Sequence, residues 1–196
     1  HACQSAALMA AKMGDLNIQW RAAAEAAGRP FTKVAIGIGV NSGDCCVGNL
    51  GSTRRFDYSA IGDNVNVTSR FESLTKTYKI TLIVGEETAR RLPDLPFLEV
   101  DLVRVKGHTA PSRLFTLLTT IDGDERDWDT LKITHDRFMA AYRAAAWAEA
   151  GALLGDLQRR DVKGLAGLYE VYEKRLARLA TVPTEEWDGV FDFDQK

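Results

Sequence analysis

Residues Arg54–Arg70 read RRFDYSAIGDNVNVTSR, and the way this stretch divides sets the fold. FDYSAI has the texture of a strand. Gly62-Asp63 then opens a helix on which Val65, Val67, Phe71 and Leu74 can face a core. On that helix residues 66 and 70 are four apart and point the same way, so one face presents the neutral amide of Asn66 and the guanidinium of Arg70. An amide can donate to a sugar oxygen or position a nucleophile. A guanidinium can grip a phosphate oxygen and neutralise charge that develops in a transition state. Arg54 and Arg55 stand just before the strand and can reach the same anion from its entrance. Together these are groups suited to a nucleoside polyphosphate.

Each feature also has a purely structural reading. Asp63 reads first as the helix N-cap, and Asn66 with Arg70 as a solvated helix face. Gly37, Gly39, Gly43, Gly48 and Gly51 do not make the dinucleotide-binding pattern, because no G-x-G-x-x-G opens a helix after the first strand; their structural role is turn and bulge geometry. Lys106, in VRVKG, reads as an exposed strand lysine, and Cys45-Cys46 as small hydrophobes in a strand.

Upstream, Met9, Met13, Leu16 and Trp20 fall at helical spacing and predict one amphipathic helix, ended by Gly-Arg-Pro. VAIGIGV, an Asn-Ser-Gly turn and the following residues read as a β-hairpin whose first arm is a buried central strand. Downstream, KITLIVG reads as a strand and EETARRL as a short helix. FLEVDLVRVKG and SRLFTLL read as an antiparallel pair. Residues 119–130 are acidic and read as a linker. Beyond them, residues 131–196 are Ala/Leu-rich and predict a helical hairpin. It carries Tyr142, Leu153 and Leu157 on one helix and Leu165, Leu168, Val171 and Tyr172 on the other. Trp187 is placed as a latch before Gly189.

The composition bounds the function. The chain has 196 residues, is 45% hydrophobic and 27% charged, and can bury one sizeable core. A formal net charge of -2 offers no basic footprint for nucleic acid and no polybasic arm for an anionic membrane. Three cysteines, two of them adjacent and none paired at metal-ligand spacing, fit a reducing compartment and a cytoplasmic location. No apolar run is long enough to span a bilayer and no signal peptide is visible.

Taken together, VAIGIGVNSGDCCVGNLGS, RRFDYSAIGDNVNVTSRFESL, VGEETARRL and VRVKGHTAPSRLFTL resemble the C-terminal half of a class III adenylyl/guanylyl cyclase catalytic domain over roughly residues 1–118. The resemblance implies an α+β, ferredoxin-like cyclase sheet with helices on one face, truncated at its N-terminus and followed by the helical hairpin. It implies that Asn66 orients the ribose and that Arg70 stabilises the pentavalent phosphorus. Lys106 would bind the terminal phosphates, and Arg54 would lie near the leaving pyrophosphate. Ser59 sits where the family reads its base, which leans towards adenine and leaves guanine open.

The implied activity is conversion of ATP to 3′,5′-cyclic AMP and pyrophosphate in an intact parent, for intracellular signalling, with Mg²⁺ or Mn²⁺. The family's two metal-binding aspartates belong to motifs that do not occur in this sequence, so no metal ligand is assigned here and the chain alone is expected to be inactive. The family's sites form between two cyclase domains, which implies a homodimer; the parent could be membrane-anchored. Two other readings stay open: a cyclase-like regulatory module that binds nucleotide without turnover, and a protein-interaction unit that merely uses the scaffold.

Overall fold

The structure, a computed structural model, describes residues 1–52, 55–104, 110–121, 128–162, 164–181 and 183–193. It contains helix α1 (Ala2–Ala26), strands β1 (Ile38–Val40), β2 (Cys46–Ser52) and β3 (Arg55–Ile61), helix α2 (Asp63–Tyr78), strand β4 (Leu82–Gly85) and helix α3 (Glu86–Arg90). Strands β5 (Phe97–Arg104) and β6 (Ser112–Leu117) follow, then helices α4 (Trp128–Arg143), α5 (Trp147–Arg159) and α6 (Ala166–Leu179), and a short strand β7 (Phe191–Asp192). Among the described residues no helix is long and apolar enough to cross a membrane.

β4, with Leu82, Ile83 and Val84 all fully buried, shows what holds the sheet together. Alternate side chains of a strand point to opposite faces. Ile83 joins a core formed with α2, β5 and α4–α6. Leu82 and Val84 join a second core with Cys3 and Ala6 of α1, Ala89 of α3, and Phe97 and Leu117. Helices therefore cover both faces of the sheet rather than one. The strand order is β1-β4-β6-β5-β7, with β1 parallel to β4, β6 antiparallel to β4 and β5, and β7 parallel to β5.

Two expectations change here. β1 does not form a hairpin across the Asn-Ser-Gly turn, and among the described strands it lies at the edge of its sheet. After Val40 the chain is drawn onto α2 by Asn41 and Asp44, and β2 pairs with β3 in a separate antiparallel hairpin. The Met9, Met13, Leu16 and Trp20 stripe is not the buried face of α1 either. Met9 and Trp20 are exposed, and the buried residues are Cys3, Ala6 and Asn17. Asn17 is held because its amide closes both ends on Val34, donating to the carbonyl at 2.8 Å and accepting from the N–H at 2.8 Å.

The glycines of β1 serve close packing rather than turns. A Cβ at Gly39 would lie 2.5 Å from the Thr68 carbonyl oxygen and 2.8 Å from the Glu72 nitrogen, and one at Gly37 would overlap Thr75 Oγ1. α2 thus sits directly on the backbone of β1, which fixes the helix that carries the candidate residues.

Residues 122–127 of the expected linker lie outside the described residues, and helical structure begins at Trp128 rather than Leu131. Among the described residues the C-terminal part has three α-helices, not the two of a hairpin. α4 ends in the paired bonds of a Schellman cap, with Ala146 N–H to the Ala141 carbonyl at 3.0 Å and Ala145 N–H to Tyr142 at 3.3 Å. Ala145 itself takes φ +57°. Glycine usually fills that position, and alanine there costs about 1 kcal/mol, so the break has no signature in the sequence.

The three helices share their apolar faces with β5 and α2. Phe138, Tyr142, Leu157, Leu168 and Tyr172 lie in one core with Phe71, Tyr78, Ile83 and Val100. Trp187 closes the end, as its indole N–H donates to the Tyr142 carbonyl at 3.1 Å.

Within that core His135 of α4 is fully buried. Its Nε2 faces the Glu99 carbonyl at 2.7 Å and so must donate, which leaves Nδ1 to accept from the Tyr169 hydroxyl at 3.3 Å. Burial lowers its pKa to about 4. The unfolded chain, with an ordinary imidazole, takes up the proton first. Stability is therefore complete above about pH 6.5 and is lost as pH falls towards 4. Urea unfolding at pH 7 and 4.5 is expected to show an acid loss about 2 kcal/mol larger in the wild type than in a His135→Gln chain.

Candidate active site

The candidate residues are set by the passage from β3 into α2. β3 pairs with β2 in unbroken register, placing Ser59 opposite Gly48, and Ser59 is half-buried. The chain then turns at Gly62, whose φ of +149° suits glycine and whose carbonyl accepts from the N–H groups of Val65 and Asn66 at 3.2 and 3.3 Å. Gly62, not Asp63, is the N-cap; Asp63 is the first helical residue, where a carboxylate complements the positive end of the helix dipole.

The two asparagines of Asn64-Val65-Asn66 have different tasks. Asn64 fastens the preceding loop, donating to the Asp44 carbonyl at 3.1 Å and accepting from Asn41 at 3.4 Å. A Cβ at Gly43 would overlap its amide, so a larger residue there would have to displace the Asn64 side chain. Asn66 is exposed, and its amide has no hydrogen-bond partner among the described residues.

One turn on, about 6 Å along the axis, Arg70 is half-buried. Its Nη1 is shielded from water yet has no hydrogen-bond acceptor among the described residues. A buried donor left unmet costs about 1–3 kcal/mol, more for a charged group. The Asn66 and Arg70 stripe runs beside the buried Val67, Phe71 and Leu74 stripe, so the core that seats α2 also fixes where these two side chains emerge.

The structure brings Asn66 and Arg70 together on one helix face and sets Ser59 on the strand that leads into it. Arg54 and Lys106 lie outside the described residues. Cys45 and Cys46 are exposed rather than packed in the sheet. Ser59, Asn66 and Arg70 do not line the two clefts nearest α2 and α3. A cleft of about 440 Å³ opens on the inner side of the first turn of α2, lined by Asn41, Ser42, Asn64, Val67, Phe71 and Arg113 among others. A larger one of about 580 Å³ lies between α3 and α4. The candidate face is instead open surface.

Among the described residues no three His, Cys, Asp or Glu side chains gather as a metal site. The residue around the candidate face that spacing alone could not separate is Asn64, which holds the Asn41–Asp44 loop. It shares its residue type with Asn66 and differs only in facing the loop.

The fold is that of an α+β domain. Residues 1–119 match the model of the adenylate and guanylate cyclase catalytic domain, and the chain belongs to that family. It is 30% identical over 128 residues to the terminal-differentiation-specific adenylate cyclase of Dictyostelium discoideum, a match covering 61% of this chain and 6% of that protein. It is 42% identical over 60 residues to the adenylate cyclase of Anabaena cylindrica, covering 31% of this chain and 12% of that one. Among solved structures, the adenylyl cyclase CyaB from P. aeruginosa is 28% identical, with a TM-score of 0.49 over 64% of this chain and 63% of that one. The chain thus spans a small part of the length of these curated relatives.

Proposed function

We propose that this chain supplies the polyphosphate-gripping side of an adenylate cyclase site, which in its intact parent converts ATP to 3′,5′-cyclic AMP and pyrophosphate. The observation that carries this reading is the buried, unpartnered Nη1 of Arg70 one turn from the exposed amide of Asn66. In the reaction the ribose 3′-oxygen bonds to the α-phosphorus while the bond from that phosphorus to the bridging oxygen breaks. Pyrophosphate carries away the electron pair, and the hydroxyl proton ends on solvent or pyrophosphate. Asn66 holds the ribose edge so that the 3′-oxygen stays in line. Arg70 meets the charge that builds on the phosphorus oxygens, Arg54 and Lys106 hold the departing phosphates, and Ser59 reads adenine.

Mg²⁺ or Mn²⁺, held by residues other than these, supplies the remaining charge neutralisation when bound. The open helix face and the exposed Val47, Tyr58 and Ile61 around the β2–β3 hairpin support a homodimer in which a second cyclase domain closes the site. Free cysteines and the need for ATP support a cytoplasmic location.

The test is product formation by the full-length parent with ATP or GTP and Mn²⁺. Cyclic AMP from ATP in at least about tenfold excess over cyclic GMP from GTP is expected, about 1.4 kcal/mol of discrimination. The 196-residue chain alone is expected to make neither. Nucleotide binding by the parent without any cyclic product would replace this reading by a regulatory one.

A further inference from the structure

The cleft of about 580 Å³ does not include Asn66 or Arg70, and it forms where the family-matched part of the chain meets α4. Phe97 opens β5, Phe115 stands on β6 and Leu118 follows it, while Pro93, Pro96 and Trp128 complete the apolar lining. Phe97 and Phe115 meet edge to face with centroids 6.3 Å apart, and Phe97 and Leu118 are buried, so this wall is already packed. A volume between about 300 and 1,000 Å³ with an apolar, aromatic lining and a few polar groups is the common make-up of a small-molecule site.

Charge and hydrogen bonding say which kind of molecule suits it. Arg90 and Lys132 reach the cleft, but each is neutralised on its own helix, Arg90 by Glu87 at 2.7 Å and Lys132 by Asp136 at 3.0 Å. Glu86, also in the lining, shares Arg113 with Glu99. Asp94 and Asp129 line the cleft as exposed carboxylates, and neither has an ion-pair partner among the described residues. The surplus is negative. Aromatic ring faces add to it, since their electron-rich surfaces also favour a cation. The Trp128 indole Nε1 is shielded from water and has no acceptor among the described residues. A donor in that state favours an occupant that carries an acceptor, because no bond to water is given up.

We propose that this cleft is a binding site for a small organic cation with a flat apolar body, its charge facing Asp94 and Asp129 and its body lying against Trp128, Phe97 and Phe115. Such an occupant touches β5 and β6 on one side and the first turn of α4 on the other, so binding ties the C-terminal helices to the cyclase domain.

The experiment is calorimetric titration of the 196-residue chain with tyramine, with tyrosol as its neutral match and para-hydroxyphenylacetate as its anionic match. Tyramine is expected to bind about fivefold more tightly than tyrosol, with the anion weakest, and the gap should narrow in high salt. Tyramine should also raise the melting midpoint, as any ligand of the folded state does. Asp94→Asn with Asp129→Asn should bring tyramine to the affinity of tyrosol and leave tyrosol unchanged; both positions are exposed, and a melting curve checks the fold. Trp128→Phe keeps an apolar ring, removes the donor, and should weaken all three probes by a similar factor. No binding of any probe at millimolar concentration would overturn the proposal, as would equal binding of all three. A preference for tyramine that survives the double Asp substitution would place the cation elsewhere and overturn it as well.

Discussion

Replacing Arg175 by alanine is expected to destabilise the chain by about 3–5 kcal/mol, enough to unfold a marginal domain at moderate temperature. Arg175 of α6 is 6% exposed and pairs with Asp101 of β5, which is 2% exposed. Asp101 Oδ2 also accepts from the Tyr78 hydroxyl at 2.5 Å, and Arg175 reaches the same hydroxyl at 3.2 Å. Burial and then the charge of Asp101 push the Tyr78 phenol well above its usual pKa, so it stays a donor. The guanidinium lies 3.5 Å above the Phe191 ring and within 5.7 Å of Tyr78, Tyr172 and Phe193.

Truncation leaves a buried carboxylate without its cation and opens the ring cage. The joint replacement Asp101→Asn with Arg175→Met keeps the volume and removes both charges, and should recover most of the loss. Urea midpoints of the two chains decide it. Equal, small losses for both would mean that solvent reaches the pair, and that α6 is not locked to β5 through it.

What could be read from the sequence, and what could not, follows the range of the interactions. The order β3, Gly62, α2 was legible because a strand texture, a glycine turn and a helical stripe of Val67, Phe71 and Leu74 lie within a few residues of one another. The i, i+4 geometry of Asn66 and Arg70 comes with the helix. β5 and β6 were legible as an antiparallel pair for the same reason.

The Asp101–Arg175 pair joins residues 74 apart, and nothing in either local sequence marks it. The partner of β1 was misjudged because turn-forming residues at 41–43 suggest a hairpin. That loop is instead consumed by Asn64 and by the close seat of Gly39 under α2. The break between α4 and α5 rests on an alanine in a glycine conformation. In α1 the large residues suggested a buried face, yet small Cys3 and Ala6 make the contact. For the candidate site, residue types and spacing put Asn66 and Arg70 on one helix face, and the family resemblance rather than spacing singled out Arg70. The buried, unmet Nη1 that sets it apart from a solvated surface arginine depends on the packing of α2.

That distinction gives activity and stability opposite dependence on Arg70. In the full-length parent, Arg70→Ala is expected to lower turnover about 10²–10³-fold, roughly 3–4 kcal/mol of transition-state stabilisation, with a much smaller change in KM. In the proposed role the guanidinium acts on charge that appears only as the α-phosphorus becomes five-coordinate, so ground-state binding has little to lose. Arg70→Lys should recover little, since an ammonium cannot span two phosphoryl oxygens in a plane. Asn66→Ala should follow the same pattern through misplacement of the ribose.

Stability should move the other way. Alanine is the strongest helix former, and the substitution removes a shielded cation that has no acceptor among the described residues. The melting midpoint of the Arg70→Ala protein is therefore expected to hold or rise slightly. A residue kept for structure would lose both properties together, and a solvated one neither. Near-wild-type turnover in Arg70→Ala, or a fall in turnover that tracks a fall in melting midpoint, would remove this helix face from the reaction.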